Sequence, residues 1–107
     1  MNIIKMNIKF LFSKTYNFLF ELDDISVEKI NKSLGLLEKY GNGIDYPHTK
    51  SVGKGIFELR VIGMRHIRIF FVYKNDEAVI LHAFVKKTNS IPKKEIDYIF
   101  SLKNRLR

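Results

Sequence analysis

Residues 53–88 read GKGIFELRVIGMRHIRIFFVYKNDEAVILHAFVKKT. Three runs within them, Ile56–Ile62, Ile67–Tyr73 and Ala78–Val85, are dense in β-branched and aromatic residues. That composition suits half-buried strands. The breaks between the runs, Gly63–His66 and Lys74–Glu77, are short and polar, as hairpin loops are. Three consecutive antiparallel strands follow. Side chains alternate between faces along a strand, so Glu58 and Arg60 share a face of the first. Arg68 falls in the second strand, His82 in the third, and Lys86 and Lys87 at its end. The third run is apolar on both faces except for His82, which predicts a central place in the sheet.

Upstream, Met6–Phe12 reads as a first strand and Lys14–Leu22 as a short helix with Tyr16, Leu19 and Phe20 inward. Asp23 to Ser26 supply turn and N-cap chemistry. Val27, Ile30, Leu34 and Leu37 then recur at steps of three and four, the apolar stripe of a helix that Gly41 ends. Gly35 inside this helix costs about 1 kcal/mol relative to alanine, and close packing is its expected return. Residues 44–54, with Pro47 and Gly53, read as a loop. Pro92 opens a last helix, with Ile96, Ile99, Phe100 and Leu106 as a partial stripe. The order β-α-α-β-β-β-α predicts an α+β fold, a small mainly antiparallel sheet with the N-terminal helices packed on one face. At 107 residues, one domain over 1–107 is expected. The other sheet face is left partly open to a ligand or partner.

The chain carries 19 Lys and Arg against 11 Asp and Glu, a formal charge of +8. Such a surplus suits nucleic acid or an acidic protein. With no cysteine there is no disulfide framework and no thiolate metal site, which fits the cytoplasm. No apolar run reaches the roughly 20 residues that span a bilayer. In the first residues, MNIIKMNIKFLF, Lys9 interrupts the apolar run and no small-residue cleavage site follows, so a signal peptide is not expected. A cytoplasmic protein with no membrane partner is the expectation. Asp23, Asp24, His48, His66 and His82 lack the spacing of metal ligands, so neither a metal nor a cofactor is expected.

Four segments, GKGIFELR, RIFF, LHAFVKKT and IPKKEI, together resemble the HigB-like, phage-derived branch of the RelE/ParE toxin superfamily. The residues that carry the resemblance are Gly55, Glu58, Leu59 and Arg60; Arg68, Ile69 and Phe70; Leu81, His82, Phe84, Lys86, Lys87 and Thr88; and Pro92, Glu95 and Ile96. It is dense over the C-terminal half, while the first two helices match only in pattern. Ile91 stands where that branch usually has threonine, so the last helix loses its usual cap unless Ser90 replaces it. The resemblance implies a RelE-like fold and the toxin of a type II toxin–antitoxin pair. Its relatives of the RelE and HigB kind cut mRNA on the ribosome, those of the ParE kind poison DNA gyrase, and a cognate antitoxin neutralises the toxin. The partners so implied are a helix-turn-helix antitoxin, the ribosome and mRNA. A ribosome-dependent, metal-independent mRNA endonuclease is the leading expectation. A gyrase poison and a non-catalytic RNA- or antitoxin-binding module are the alternatives.

Metal-free RNA cleavage needs a base for the 2′-hydroxyl, an acid for the leaving 5′-oxygen, and cations for the phosphate. Arg60 and Arg68 suit the last task because guanidinium keeps its charge and grips phosphate in bidentate fashion. The bland reading of Arg60 is a pair with Glu58. Lys86 and Lys87 add charge, one of them facing the site by strand alternation. His82 has two readings, a general base with a near-neutral reference pKa or a half-buried core histidine holding one hydrogen bond. Lys54, Arg65, His66, Lys93 and Lys94 are candidate RNA contacts. Tyr98 either stacks on a base or packs on the sheet. Lys103, Arg105 and Arg107 extend the basic C-terminal segment.

Overall fold

The computed structural model describes residues 6–44, 48–63 and 65–106. Pro47, Arg107 and the first five residues, all weighed above, lie outside them. The elements are β1 (Asn7–Phe10), α1 (Ser13–Phe20), α2 (Asp24–Tyr40), a short 3-10 turn (Gly41–Gly43), β2 (Thr49–Gly53), β3 (Ile56–Val61), β4 (Ile67–Lys74), β5 (Glu77–Val85) and α3 (Lys93–Lys103). They form a five-stranded sheet in the order β1-β5-β4-β3-β2. β1 runs parallel to β5 and every other pair is antiparallel.

The expected order holds with one addition. Thr49–Gly53, read as part of a loop, is an edge strand paired with β3. Its sequence TKSVG is short and polar, which is how an edge strand avoids unwanted pairing and also why it resembles a loop. β5 lies inside the sheet, as its apolar run implied, because β1 pairs with its outer side; β4 takes the middle position.

Asp23 caps α2 as the sequence implied. Its carboxylate accepts from the Ser26 amide at 3.1 Å and from the Ser26 hydroxyl at 2.8 Å. Those bonds hold the Asp23 pKa below its ordinary value. At the other end Gly41 adopts φ 55°, a left-handed conformation natural to glycine. Its amide donates to the Leu37 carbonyl, and its own carbonyl accepts from the Tyr73 hydroxyl at 3.2 Å. The helix end is thereby tied to β4. Gly35 serves no close packing, since a Cβ there meets nothing within 4 Å.

The sheet separates two apolar clusters. Leu19 of α1 and Ile30, Leu34 and Leu37 of α2 pack on Leu59, Ile67, Ile69, Phe71 and Ile80. On the opposite face, Ile99 and Leu102 of α3 pack on Ile56, Phe70, Val72, Val79 and Leu81. The N-terminal helices thus share one face and α3 covers part of the other. Tyr16, expected inward, is exposed, and Thr15 is buried instead. Among the described residues no helix is long and apolar enough to cross a membrane.

One irregularity decides what faces α3. Phe70 pairs with His82 and Phe71 with Ile80, so Leu81 is an extra residue without a partner on β4. Such a bulge breaks strict alternation. Leu81 and His82, though adjacent, both turn toward α3: Leu81 joins its apolar cluster and His82 meets its first turn.

Candidate functional site

The α3 face carries two rows of residues across β3, β4 and β5. In one row Arg60 stands opposite Arg68, and Arg68 opposite Phe84. In the next, Glu58 stands opposite Phe70, and Phe70 opposite His82. The strand pattern IFELR, RIF and LHAF produces this array, with the Leu81 bulge setting the place of His82.

Like charges opposite each other on a sheet repel. Glu58 offsets that repulsion for Arg60 and Arg68. Its carboxylate is almost fully buried, at 2% exposure, and its Oε1 accepts from Arg60 Nε at 2.9 Å. The same oxygen lies 3.6 Å from Arg68 Nε, an ion-pair distance beyond hydrogen-bond reach. Arg68 is 9% exposed, and its NH1 donates to the Ile67 carbonyl at 3.1 Å. Its buried Nε makes no hydrogen bond. Burial pushes the Arg68 pKa below the ordinary arginine value; Glu58 opposes that shift and Arg60 adds to it. The bland reading of Arg60 is therefore correct as geometry, and the resulting pair still leaves two guanidinium groups side by side around one carboxylate.

His82 is half-buried. Its Nε2 lies 2.7 Å from Glu95 Oε2, and its ring meets the edge of Tyr98 at 5.0 Å and lies 6.0 Å from Phe84. This is the environment of a half-buried histidine with one hydrogen bond. The partner had not been anticipated. Glu95 lies on α3, 13 residues away in sequence, and its place in IPKKEI was the available signal. Tyr98 packs against the sheet through His82, and its hydroxyl accepts from Lys14 Nζ at 3.4 Å. No cap side chain replaces the missing threonine: Pro92 is the N-cap and Ser90 makes no capping bond.

Beyond the arginine row lies a polar cleft of about 300 Å³, lined by His66, Arg68, Lys86, Lys87, Thr88 and Asn89. The Lys86 amide donates to the His66 carbonyl at 2.7 Å, which joins its two walls. Both lysines line it, whereas strand alternation had pointed to one. β5 ends at Val85, so alternation no longer governs them.

The remaining candidates sit elsewhere. Arg65 pairs with Asp23 at 2.9 Å and lines a separate groove beside α2. Lys93 pairs with Asp97 one turn along α3 at 2.8 Å, and Lys94 is exposed on the same helix. Lys54 occupies the β2–β3 turn at φ 55°, at the end of β3 away from Arg60. There Lys103 Nζ donates to its carbonyl, and its own Nζ stands 5.3 Å from the Phe100 ring. Among the described residues no group of three or more histidine or carboxylate side chains is placed to hold a metal ion.

No curated protein matches the chain. The topology, two N-terminal helices on a mixed, mainly antiparallel sheet, is generally RelE/ParE-like. The family model described as phage derived protein Gp49-like (DUF891) matches residues 17–104, from within α1 to just past the end of α3 and so across the whole of this site. The chain belongs to the phage-derived, Gp49-like family.

Proposed function

We propose that this chain is the toxin of a type II toxin–antitoxin pair, of the HigB-like kind, and that it cleaves mRNA on the ribosome without a catalytic metal ion. The observation that carries the reading is the apposition of Arg60 and Arg68, one row from His82 and its Glu95 partner. Two permanent cations oppose the charge that builds on a phosphate under attack. His82 exchanges a proton with the 2′-hydroxyl or the leaving 5′-oxygen. Glu95 orients the imidazole through its 2.7 Å contact with Nε2. Lys86 and Lys87 add positive potential at the end of the row. A ribosome supplies the remaining alignment of the RNA, and an acidic surface on a helix-turn-helix antitoxin neutralises the cationic face.

The test is brief expression of the chain followed by mapping of mRNA 5′ ends. New ends within translated frames are expected, together with early loss of protein synthesis in pulse labelling. DNA synthesis failing first, with translation continuing, would replace this reading with gyrase poisoning. The Glu58–Arg60 bond favours a second reading, in which the arginines serve the sheet and the chain only binds RNA or antitoxin. Intact mRNA beside tight RNA binding is the result that reading requires.

A further inference from the structure

We propose that the outer face of α2 is a two-fold contact between two copies of this chain, in which the two α2 helices cross antiparallel at Gly35. The contact stands apart from the function proposed above. The sheet separates α2 from α3 and the Arg60–His82 array, so the array stays open in both copies.

Gly35 lies inside α2 and is exposed, and a Cβ built there meets nothing of its own chain within 4 Å. Glycine weakens a helix interior, and no described residue packs on this one. Its remaining use is the close approach of a second backbone from outside. Beside it runs a groove of about 410 Å³ between α1, α2 and β1, with Phe10, Tyr16 and Phe20 as aromatic walls and Glu38 as its carboxylate. The Tyr16 ring lies 4.5 Å from that of Phe20, and Tyr16 is 48% exposed. No cation lines the groove. Aromatic walls and a carboxylate suit a lysine, whose stem covers the rings while its ammonium meets the acid. α2 itself carries that lysine. Lys32 stands three residues before Gly35 and Glu38 three after it, and both are exposed. At 3.6 residues per turn they flank Gly35 on opposite sides, each about 60° round the helix from it. A two-fold axis through Gly35 therefore sets Lys32 of each copy on Glu38 of the other, inside the other's groove, and does so twice. Among the described residues neither side chain has an ion-pair partner in its own chain. The chain's charge of +8 does not bear on this face. From Glu28 to Lys39 the exposed charges of α2 are those of Glu28, Lys32, Glu38 and Lys39, which balance. Lys29, less exposed, lies against Gly63.

The experiment is sedimentation velocity of the full chain at low salt, from low micromolar to millimolar concentration. A reversible monomer–dimer equilibrium is expected. Lys32→Glu and Glu38→Lys should each weaken it by at least about tenfold, because each sets two like-charged pairs face to face. The double variant restores opposite charges across the contact and should dimerise as the parent does. All three substitutions lie on the solvent face, and circular dichroism identifies the folded variants. Gly35→Ala should raise the unfolding midpoint, measured where the parent is monomeric, and still weaken dimerisation. The added methyl group has room in one copy but not between two. A higher midpoint with unchanged dimerisation would show that the glycine serves no contact and would overturn the crossing. A double variant no better than the single ones would also overturn it, as would a chain that is monomeric throughout the range. If that monomer binds an antitoxin, and Gly35→Ala weakens the binding, the face belongs to an antitoxin helix and not to a second copy.

Discussion

Arg60 and Arg68 stand directly opposite each other on β3 and β4, and one oxygen of Glu58 lies 2.9 Å from the Nε of the first and 3.6 Å from that of the second. Their shared carboxylate is the more deeply buried member of the trio. Removing it takes away the carboxylate that these two facing cations share. Glu58→Ala is therefore expected to destabilise the fold by roughly 3–5 kcal/mol, the cost of breaking a buried pair by removing one partner. Arg60→Ala, on a partly exposed side chain, should cost less. Urea unfolding of both variants gives the comparison, and an unaltered midpoint for Glu58→Ala would refute it.

Arg60→Ala and Arg68→Ala should each lower ribosome-dependent mRNA cleavage by on the order of 100- to 1000-fold, the usual loss for one transition-state donor. Circular dichroism and the unfolding midpoint identify variants that remain folded. Full cleavage by both folded variants would remove the arginines from the chemistry.

Glu95→Gln keeps a hydrogen-bonding group beside His82 but removes the carboxylate that its Nε2 meets at 2.7 Å. General acid–base groups contribute about 10²–10⁴-fold. His82→Ala should lose a factor in that range and Glu95→Gln a smaller one, measured as initial rates of cleavage in a purified translation system. If the pair is packing alone, both variants that fold will cut at the parent rate.

Asp23 provides an acid-sensitive point outside the site, in the groove beside α2. Its pKa is lowered by the Ser26 hydroxyl and amide, with Arg65 contributing less. A carboxylate lowered by folding stabilises the native state above its unfolded pKa, and that contribution disappears as pH falls through the folded value. The parent protein should lose stability on acidification more steeply than Asp23→Asn. Thermal unfolding across a pH series from neutrality downward measures this, and parallel curves would contradict it.

Leu81 is the bulged residue and is completely buried under α3. Leu81→Ala should cost about 2–5 kcal/mol. It should also speed hydrogen exchange in α3 before the rest of the sheet, because Ile99 and Leu102 pack in the same cluster. Uniform acceleration throughout the chain would show that α3 has no separate dependence on it.

Much of this architecture is legible in the sequence because burial imposes periodicity. The stripe Val27, Ile30, Leu34, Leu37 and the runs flanking Arg60, Arg68 and His82 announce their elements. Features set by a single contact are not announced. Thr49–Gly53 is a strand because β3 offers it a partner, although its own composition is that of a loop. The Leu81 bulge adds one residue without altering the run around it. Arg60 and Arg68 were readable as basic residues on adjacent strands, but their register comes from the sheet, and Glu95 reaches His82 only through the path of α3, which local patterns do not encode. Arg65 shows the reverse: it is next to His66 in sequence, yet its side chain turns to Asp23 and away from the cleft.

The placement of α3 has a consequence for the order in which the chain is made. Synthesis from the N-terminus produces both arginines, their shared carboxylate and His82 before it produces residues 93–103. A nascent or prematurely terminated chain ending ahead of Lys93 has the cations of the sheet but lacks the carboxylate that holds the imidazole. It also lacks the side chains that shelter Val79 and Leu81 from water. The final helix therefore completes the site: Glu95 reaches His82 only in a polypeptide that has been translated through it.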